Sequence, residues 1–409
     1  MSNESLKPKP RLKFIDIARS WAIVMMLEGH CTGEALADQY RTAEYPLFDM
    51  WYRFHGLTSV LFFTISGLIF AYLLTQDNSI PFWKNERVKK GFKRVGELIF
   101  WGYAIQLDLK TLYNKWFNGG YYILDWAYAF HVLQCIGAGI LFLLLLYGLY
   151  KWIKLGRLEW YYFLGGMLLF AAQAWFNRYI QWDKEAVESG LQASFHYLPS
   201  NAPAFIQNMF YGEFSQFAIT RYSGYVLLGG MMGVIFRKNE YRIFDNKIIF
   251  GLILLGFAMH QWIAKVIVKI DGILVYWNLT DAKYHETNIS AFKDFGLIIM
   301  FIGLLMLLDK KVKFKDNLFL KMGRNTFPIY VVHVIVLVGG LFGIGLKPHL
   351  LHHNLGPWAT VLTSLAFILS FALMTYFIEP LDKAYSTILS YLLPWKWNQR
   401  KSKEQKIEI

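Results

Sequence analysis

Charged residues and cysteines are scarce in this 409-residue chain, and each shortage excludes a class of protein. Asp, Glu, Lys and Arg make up 17% of the residues, whereas a water-soluble chain usually carries about 25%. The two cysteines, Cys31 and Cys135, are too few for a disulfide framework and lack metal-ligand spacing. The sequence also lacks a phosphate-binding glycine loop, an HExxH motif and a GxSxG motif, so it carries no local signature of a nucleotide hydrolase, zinc protease or serine hydrolase.

Long apolar runs take the place of the missing charge. Hydrophobic residues make up 55% of the chain, and the mean hydropathy is +0.30. The runs are about 20 residues long, enough to cross a hydrocarbon core about 30 Å thick. We therefore predict an all-α integral membrane protein, a single membrane-embedded domain over 1–409 built as a bundle of about ten transmembrane helices. The predicted spans are 14–31, 56–75, 95–112, 127–150, 159–179, 217–236, 248–268, 291–308, 322–343 and 357–379.

Basic residues are divided unequally between the two sets of predicted connections. The segments that would face one side hold 28 of the 42 Lys and Arg residues, and those that would face the other side hold 7. By the positive-inside rule, this bias predicts that both termini are cytoplasmic, with 1–13 as the N-terminal segment and 380–409 as an interfacial, basic tail. The net charge of +13 is then explained by topology and contact with anionic membrane lipids, and no nucleic-acid partner is expected.

The ends and connections carry weaker signals. The basic first residues lack a short apolar segment with a cleavage site, so we expect no cleaved signal peptide. The longest predicted outer connection, 181–216, fits either a lid over an extracytoplasmic cavity or a connection without a function. We expect a multi-pass protein of a bacterial inner (cytoplasmic) membrane. The sequence leaves the oligomeric state open, including a homo-oligomer.

Ionisable side chains inside the first span are functional candidates, because each is costly in a bilayer unless it is paired or faces water. Asp16 and Arg19 are three residues apart, so they share a helix face at the predicted cytoplasmic end. Glu28 and His30 lie at the outer end. His30 follows Arg19 after about 16 Å of helical rise, close to three turns, so the two lie near one face at opposite depths.

Two further histidines lie in other spans. His55 opens the second span at the outer side, where it can meet His30. His333 lies about halfway along the ninth span, with Tyr330 one turn earlier on the same face and Pro328 weakening the helix. The structural alternative for each histidine is a side chain at the membrane interface or in helix packing.

Basic residues beside the third and ninth spans suit a phosphate-rich cytoplasmic ligand, although ordinary positive-inside charge explains them equally well. The densest group lies in the inner connection 77–94. The binding candidates from both places are Arg87, Lys90, Arg94, Arg324 and Asn325. The stretch HLLHH at 349–353 has the composition of a metal site but lies in a short outer loop, and we predict no metal ion.

Several stretches resemble one superfamily of membrane enzymes. RLKFIDIARSWAIVMMLEGH resembles the first span of the membrane-bound acyltransferase family 3, with an Asp, an Arg and a His that follows the Arg after ten residues. HGLTSVLFFTISGLIF is similar to that family's second span with its FFxxSG core, and the ending FIEP is similar to its last span. PLFDMWYRFHGLT and MGRNTFPIYVVH resemble the heparan-glucosaminide N-acetyltransferase branch of the same transmembrane acyltransferase superfamily. Ser20 departs from the family, which usually has glycine there.

The resemblance implies an enzyme that takes an acyl group, most simply acetyl, from cytoplasmic acyl-CoA. It would deliver that group to a hydroxyl or amine of an extracytoplasmic sugar or glycan, such as an envelope polysaccharide. His30 or His55 would be the general base or carry the acyl group transiently. The basic candidates would contact CoA. The remaining implied roles are orientation of the first span (Asp16, Arg19 and Glu28) and lining the path or polarising the thioester (Tyr330 and His333).

Two functions of other classes compete with this one. A transporter of a glycan precursor or organic anion would also place histidines and acids along a central path. The chain has no obvious internal repeat, which disfavours a transporter built from two related halves. A non-catalytic scaffold would share the fold without the chemistry, and the intact Arg19, His30 and His55 disfavour it.

Overall fold

The computed structural model describes residues 12–392 except 43, 120–128, 178–202, 204–205, 207–208, 210–214, 216, 278–285, 313 and 348–350. The described part is all-α, as predicted, with twelve helices. They are α1 Lys13–Ala35, α2 Pro46–Leu74, α3 Glu86–Ala104, α4 Leu109–Asn118, α5 Val132–Ile153, α6 Leu158–Asn177, α7 Ile219–Lys238, α8 Asn246–Tyr276, α9 Glu286–Lys311, α10 Leu318–Arg324, α11 Thr326–Val338 and α12 Pro357–Leu392. The predicted outer connection 181–216 lies almost entirely outside the described residues. The predicted tail 380–409 begins inside α12.

Each predicted span overlaps a helix of this set. Five helices of the described part contain segments long and apolar enough to cross a membrane: Pro46–Leu74, Val132–Ile153, Asn246–Ile270, Asn288–Lys311 and Pro357–Ile378. Their outer faces keep large apolar side chains exposed, such as Leu254, Leu362 and Leu369, which suits contact with lipid. The chain is therefore an integral membrane protein, while the number of crossings near ten and the side of the termini stay predictions.

The third predicted span, 95–112, is wrong in its bounds. Helix α3 begins at Glu86, where the Asn85 side chain caps it by accepting from the Arg87 backbone N–H at 2.8 Å. Small and apolar residues bury one face of the helix at helical spacing: Val88, Gly91, Val95, Leu98 and Gly102. The basic residues of the run 77–94 lie mainly on the exposed face of α3. The helix can therefore include residues that the sequence analysis placed in a connection.

The ninth predicted span, 322–343, is two helices. Helix α10 ends at Arg324, and α11 begins at Thr326. The Asn325 side chain between them donates to the Lys321 carbonyl at 3.0 Å, which satisfies part of the last turn of α10. Pro328 lies in the first turn of α11, where its missing N–H leaves no helical bond unmade.

The basic connections meet at one end of the bundle. Lys13 Nζ donates to the Phe314 carbonyl at 2.6 Å, and Arg237 donates to the Gln76 carbonyl at 3.4 Å. Lys238 pairs with Glu159 at 2.6 Å. These contacts join segments that the charge pattern assigned to one side, and we call this place the basic end.

The opposite end, which we call the far end, holds residues 351–353 of the HLLHH stretch, whose first two residues lie outside the described part of the chain. Leu36 and Leu355 form a β-bridge there. His353 Nδ1 lies 2.8 Å from a carboxylate oxygen of Asp38, and this hydrogen bond lowers the pKa of the Asp38 carboxyl. Lys347 pairs with Glu34 at 3.1 Å. The stretch thus ties a connection to the end of α1.

Helices pack most closely at glycines near the middle of the bundle. A Cβ on Gly67 of α2 would collide with the Val226 carbonyl of α7, and one on Gly229 of α7 would collide with the Thr64 carbonyl of α2. Such small residues let two backbones approach within a membrane. Close packing of α2 on α7 fixes the rotation of α2 and thereby the direction of its polar side chains.

Candidate active site

Three histidines from three helices meet near the far end, and we call them the histidine cluster: His30 of α1, His55 of α2 and His333 of α11. His30 Nδ1 lies 3.0 Å from His333 Nε2, with the ring centres 5.2 Å apart. The His55 ring centre lies 6.2 Å from that of His30. The sequence predicted the meeting of His30 with His55, and it did not predict that His333 is the direct partner.

The hydrogen bonds around His333 indicate which ring nitrogens carry protons. His333 Nδ1 lies 3.2 Å from the Ile329 carbonyl, which can only accept, so Nδ1 of a neutral His333 carries the proton. His333 Nε2 is then the acceptor and His30 Nδ1 is the donor. A neutral His30 in this tautomer has its lone pair on Nε2. That nitrogen is therefore the one able to take a proton from a substrate.

Glu28 and Trp51 hold His55. Trp51 and His55 are four residues apart on α2, and their rings stack in parallel with centres 5.3 Å apart and an angle of 2°. Trp51 Nε1 donates to both oxygens of Glu28 at 2.9 and 3.0 Å, and Thr32 donates to the same carboxylate at 2.8 Å. Glu28 thus bonds to α2 through Trp51 and to its own helix through Thr32. Among the described residues, the His55 Nδ1 atom is buried against α1 at Gly29 and has no hydrogen-bond partner.

Gly29 sets the distance between α1 and His55. A Cβ at this position would overlap the His55 ring. No other residue type lets the imidazole pack against the α1 backbone at this distance. Sequence reasoning assigned neither Gly29 nor Trp51 a part in the site. Their neighbours Glu28 and His30, together with the i, i+4 spacing of Trp51 and His55, were the available signals.

Arg19 marks the other end of the same face of α1. Its guanidinium donates to Thr326 Oγ1 at 3.1 Å and to the Arg324 carbonyl at 3.5 Å, both at the break between α10 and α11. Ser20 is fully buried, and a Cβ on Gly323 would collide with it. Ser20 thus stands where the resemblance expects a glycine, and the residue that packs against it, Gly323, is a glycine.

Two adjoining cavities lie beside Arg19. The upper cavity, of about 200 Å³, has mainly apolar walls, and its polar lining residues are Arg19, Ser66, Arg94, Thr326 and Tyr330. The mouth cavity, of about 370 Å³, lies nearer the basic end and is also lined by Asp16. Arg19, Ile69 and Leu73 line both cavities. The Tyr330 ring centre is 5.1 Å from that of His333, so the upper cavity reaches the histidine cluster across one aromatic side chain.

The predicted CoA-binding residues are separated by the structure. Arg94 lines the upper cavity, with its guanidinium 4.2 Å from the centre of the Phe327 ring. Arg87 and Lys90 are exposed on α3 and are not among the residues that line either cavity.

The break between α10 and α11 holds the other two candidates. The Arg324 side chain pairs with Asp316, and the Asn325 side chain bonds to the turn before it. The structure therefore brings together the three histidines and Tyr330, with Glu28 beside His55, and places Arg19, Asp16 and Arg94 along the two cavities. The side chains of the other four candidates line neither cavity, although the Arg324 carbonyl accepts from Arg19.

The chain matches one family of known proteins over most of its length. A family described as an acyltransferase domain matches residues 12–377, which include the histidine cluster and both cavities. The chain therefore belongs to acyltransferase family 3, as the resemblance of its motifs predicted, and it is a membrane acyltransferase. No curated protein and no solved structure matches it significantly.

Proposed function

We propose that the chain transfers an acyl group, in the first instance acetyl, from cytoplasmic acyl-CoA to a hydroxyl or amine of an extracytoplasmic sugar or glycan. The observation that carries this proposal is the hydrogen-bonded pair of His30 and His333, next to a cavity that holds two arginines. The basic end faces the cytoplasm in this proposal, since its charge follows the positive-inside pattern.

His30 is the proposed general base. Its Nε2 lone pair accepts the acceptor's proton, and the bond from Nδ1–H to His333 Nε2 stabilises the imidazolium that results. His333 in turn is fixed by the Ile329 carbonyl. His333 is therefore a positioning residue, which holds the tautomer and direction of His30.

The acceptor oxygen or nitrogen attacks the thioester carbonyl while its proton moves to His30 Nε2. The tetrahedral intermediate collapses, the C–S bond breaks, and the thiolate takes the proton from His30 to leave as CoA thiol. The product is an ester or an amide. Tyr330, at the boundary between the upper cavity and His333, is the proposed donor to the developing oxyanion.

A covalent route uses the same residues. His30 Nε2 attacks the thioester carbonyl, a C–N bond forms, the C–S bond breaks, and CoA leaves as the thiolate. The acceptor oxygen or nitrogen then attacks the acyl-imidazolium carbonyl, the C–N bond breaks, and His30 Nε2 regains its lone pair. The acceptor's proton passes through solvent to the thiolate, which gives CoA thiol. Rapid quenching of the chain with labelled acetyl-CoA, followed by mass spectrometry of the peptide that contains His30, distinguishes the two routes.

Arg19 and Arg94 are the proposed cationic contacts of the donor in the upper cavity. Both guanidinium groups line it, and its remaining walls are mainly apolar, which suits a thin chain with polar groups spaced along it. Arginine binds phosphate and carbonyl oxygens through several N–H donors at once.

Calorimetry with acetyl-CoA and the purified chain in detergent tests the donor. We expect saturable binding, weakened by Arg94→Ala and unchanged by Lys93→Ala. Lys93 is the neighbouring, exposed cation on the same helix, and it pairs with Glu97 as Arg94 does. Failure of folded wild-type chain to bind any acyl-CoA would contradict the proposed donor.

A further inference from the structure

The mouth cavity has a cluster of polar side chains that the proposed chemistry does not use. Its lining residues are Leu12, Ile15, Asp16, Arg19, Ile69, Tyr72, Leu73, Gln76, Arg237 and Glu240. Arg237 is in the last turn of α7, Glu240 lies two residues beyond the end of that helix, and Tyr72 is in the last turn of α2. None of these three stood out in the sequence.

Arg237 and Glu240 form a desolvated ion pair in the wall of this cavity. Their side chains are 2.8 Å apart and are only 13% and 10% exposed. A pair this buried differs from the surface pairs of the same connection, such as Arg242 with Asp245, whose side chains are 71% and 46% exposed. Keeping two charges out of water is costly unless further contacts stabilise them.

Those further contacts orient the guanidinium of Arg237. Tyr72 donates to Glu240 at 3.1 Å, and the Arg237 guanidinium lies 5.4 Å from the centre of the Tyr72 ring. Arg237 also donates to the Gln76 carbonyl at 3.4 Å, just beyond the end of α2. A guanidinium has five N–H donors in a planar fork, so a group held in this way can still receive a phosphate.

The position of this cluster along the path suggests its ligand. The mouth cavity adjoins the upper cavity at Arg19, Ile69 and Leu73, and the upper cavity ends at Tyr330 beside the histidine cluster. From the basic end inward, the order is the mouth cavity with its ion pair, the mainly apolar upper cavity and the histidine cluster. An acyl thioester carried by a nucleotide diphosphate has the same order of a charged head, a thin chain and a reactive end.

We infer that Arg237, held in place by Glu240 and Tyr72, binds the diphosphate of the acyl donor's nucleotide head in the mouth cavity. The inference rests on the proposed function and adds the location and chemistry of the head-group site. Glu240 offsets the charge of Arg237, and the phosphate accepts from guanidinium N–H groups other than those that bond to Glu240 and to the Gln76 carbonyl.

Binding of CoA and of pantetheine, which lacks the nucleotide diphosphate, tests the site. Calorimetry with the full chain in detergent compares wild type, Arg237→Met and the control Arg242→Met. We expect Arg237→Met to weaken CoA binding by about tenfold or more, because it removes a charge-assisted contact. Pantetheine binding should not change in either variant.

The outcomes separate this inference from the proposed function. If wild type binds CoA and Arg237→Met binds it as well as Arg242→Met does, the head-group site is wrong while the donor stands. If folded wild type binds no CoA, the proposal of an acyl-CoA donor is wrong, and so is the head-group site inferred from it. A loss of bound phosphatidylglycerol by mass spectrometry with unchanged CoA affinity would assign Arg237 to a lipid phosphate and overturn the inference.

A second variant covers the case in which Arg237→Met does not fold. Glu240→Gln keeps the shape and the Tyr72 contact but removes the carboxylate that competes with phosphate. We expect it to bind CoA severalfold more tightly, with no change for pantetheine. An unchanged or weakened CoA affinity in folded Glu240→Gln protein would overturn the inference.

Discussion

The two ends of α1 carry different chemistry although both meet the segment around α11. Near the basic end, Arg19 contacts Thr326 and lines both cavities. Near the far end, His30 contacts His333 and is closely packed, and among the described residues it lines neither cavity. The comparison indicates that ligand binding and proton transfer are placed apart on one rigid helix. Substitutions at the Arg19 end should then change affinity, and those at the His30 end should change rate.

The largest effect is expected from His30→Ala. Removing the general base should lower the rate of acetyl transfer by about 10²–10⁴-fold, with acetyl-CoA affinity unchanged. The measurement uses membrane vesicles from cells that produce the chain. It counts labelled acetyl groups that pass from acetyl-CoA to acceptor molecules in the vesicles. His260→Ala is the matched control, because His260 is a hydrogen-bonded histidine of α8, away from the cluster, with its Nδ1 3.3 Å from the Lys293 carbonyl. Full transfer activity in a folded His30→Ala protein would remove His30 from the mechanism.

Arg19→Met tests the other end of α1. Loss of a charge-assisted donor contact should weaken acetyl-CoA binding by about tenfold or more, with a smaller change in the rate at saturating donor. Calorimetry and the dependence of the transfer rate on acetyl-CoA concentration measure the two effects. The control is Arg53→Met, because Arg53 is exposed and pairs with Asp49 at the start of α2. A pure rate effect with unchanged affinity would show that the two ends are not divided in this way.

Gly29→Ala should disturb the histidine end without removing any polar group. The added methyl overlaps the His55 ring, and overpacking of this kind costs about 1–3 kcal/mol. We expect a lower melting temperature and slower transfer, with little change in acetyl-CoA affinity. Gly33→Ala on the same helix is the control, because a Cβ there meets nothing within 4 Å. Equal behaviour of the two variants would contradict the close approach of His55 to α1.

The smallest effect is expected from Trp51→Phe. Phenylalanine keeps the stack on His55 but loses the N–H that bonds to Glu28. A buried acceptor left without its donor costs about 1–3 kcal/mol, part of which another contact of Glu28 offsets. Acetyl transfer should slow by about tenfold or less, and the melting temperature should fall, as for Gly29→Ala. Trp160→Phe, at an exposed tryptophan of α6, should change neither quantity.

Much of the fold followed from the sequence, and the departures have local causes. Each predicted apolar span overlaps a helix of the described part. An apolar run of this length forms a helix because a helix satisfies its own backbone hydrogen bonds where lipid excludes water. The bounds of α3 were missed because its apolar face continues among Arg and Lys residues. The break at Asn325 was missed because a side-chain bond to the preceding turn ends α10 without a glycine or a proline at that position.

The candidate site was only partly readable. Arg19, His30, His55 and His333 stood out because ionisable groups are rare inside a membrane. The pairing of His30 with His333 joins residues 303 apart in the chain, and no spacing rule predicts it. Arg87, Lys90 and Arg94 are alike in sequence, and the rotation of α3 against its neighbours left one of them lining a cavity.

The sequence by itself determined the helices, the gathering of basic connections at one end and the types of residue available for chemistry. These depend on local hydrogen bonding and on how each side chain partitions between lipid and water, which a residue carries wherever the chain folds. Tertiary structure alone decided the partner of His30, the use of Glu28 to hold Trp51, and the mouth of the path at Arg237. Those depend on helix rotation, which close contacts at Gly67, Gly229 and Gly323 fix across long stretches of chain.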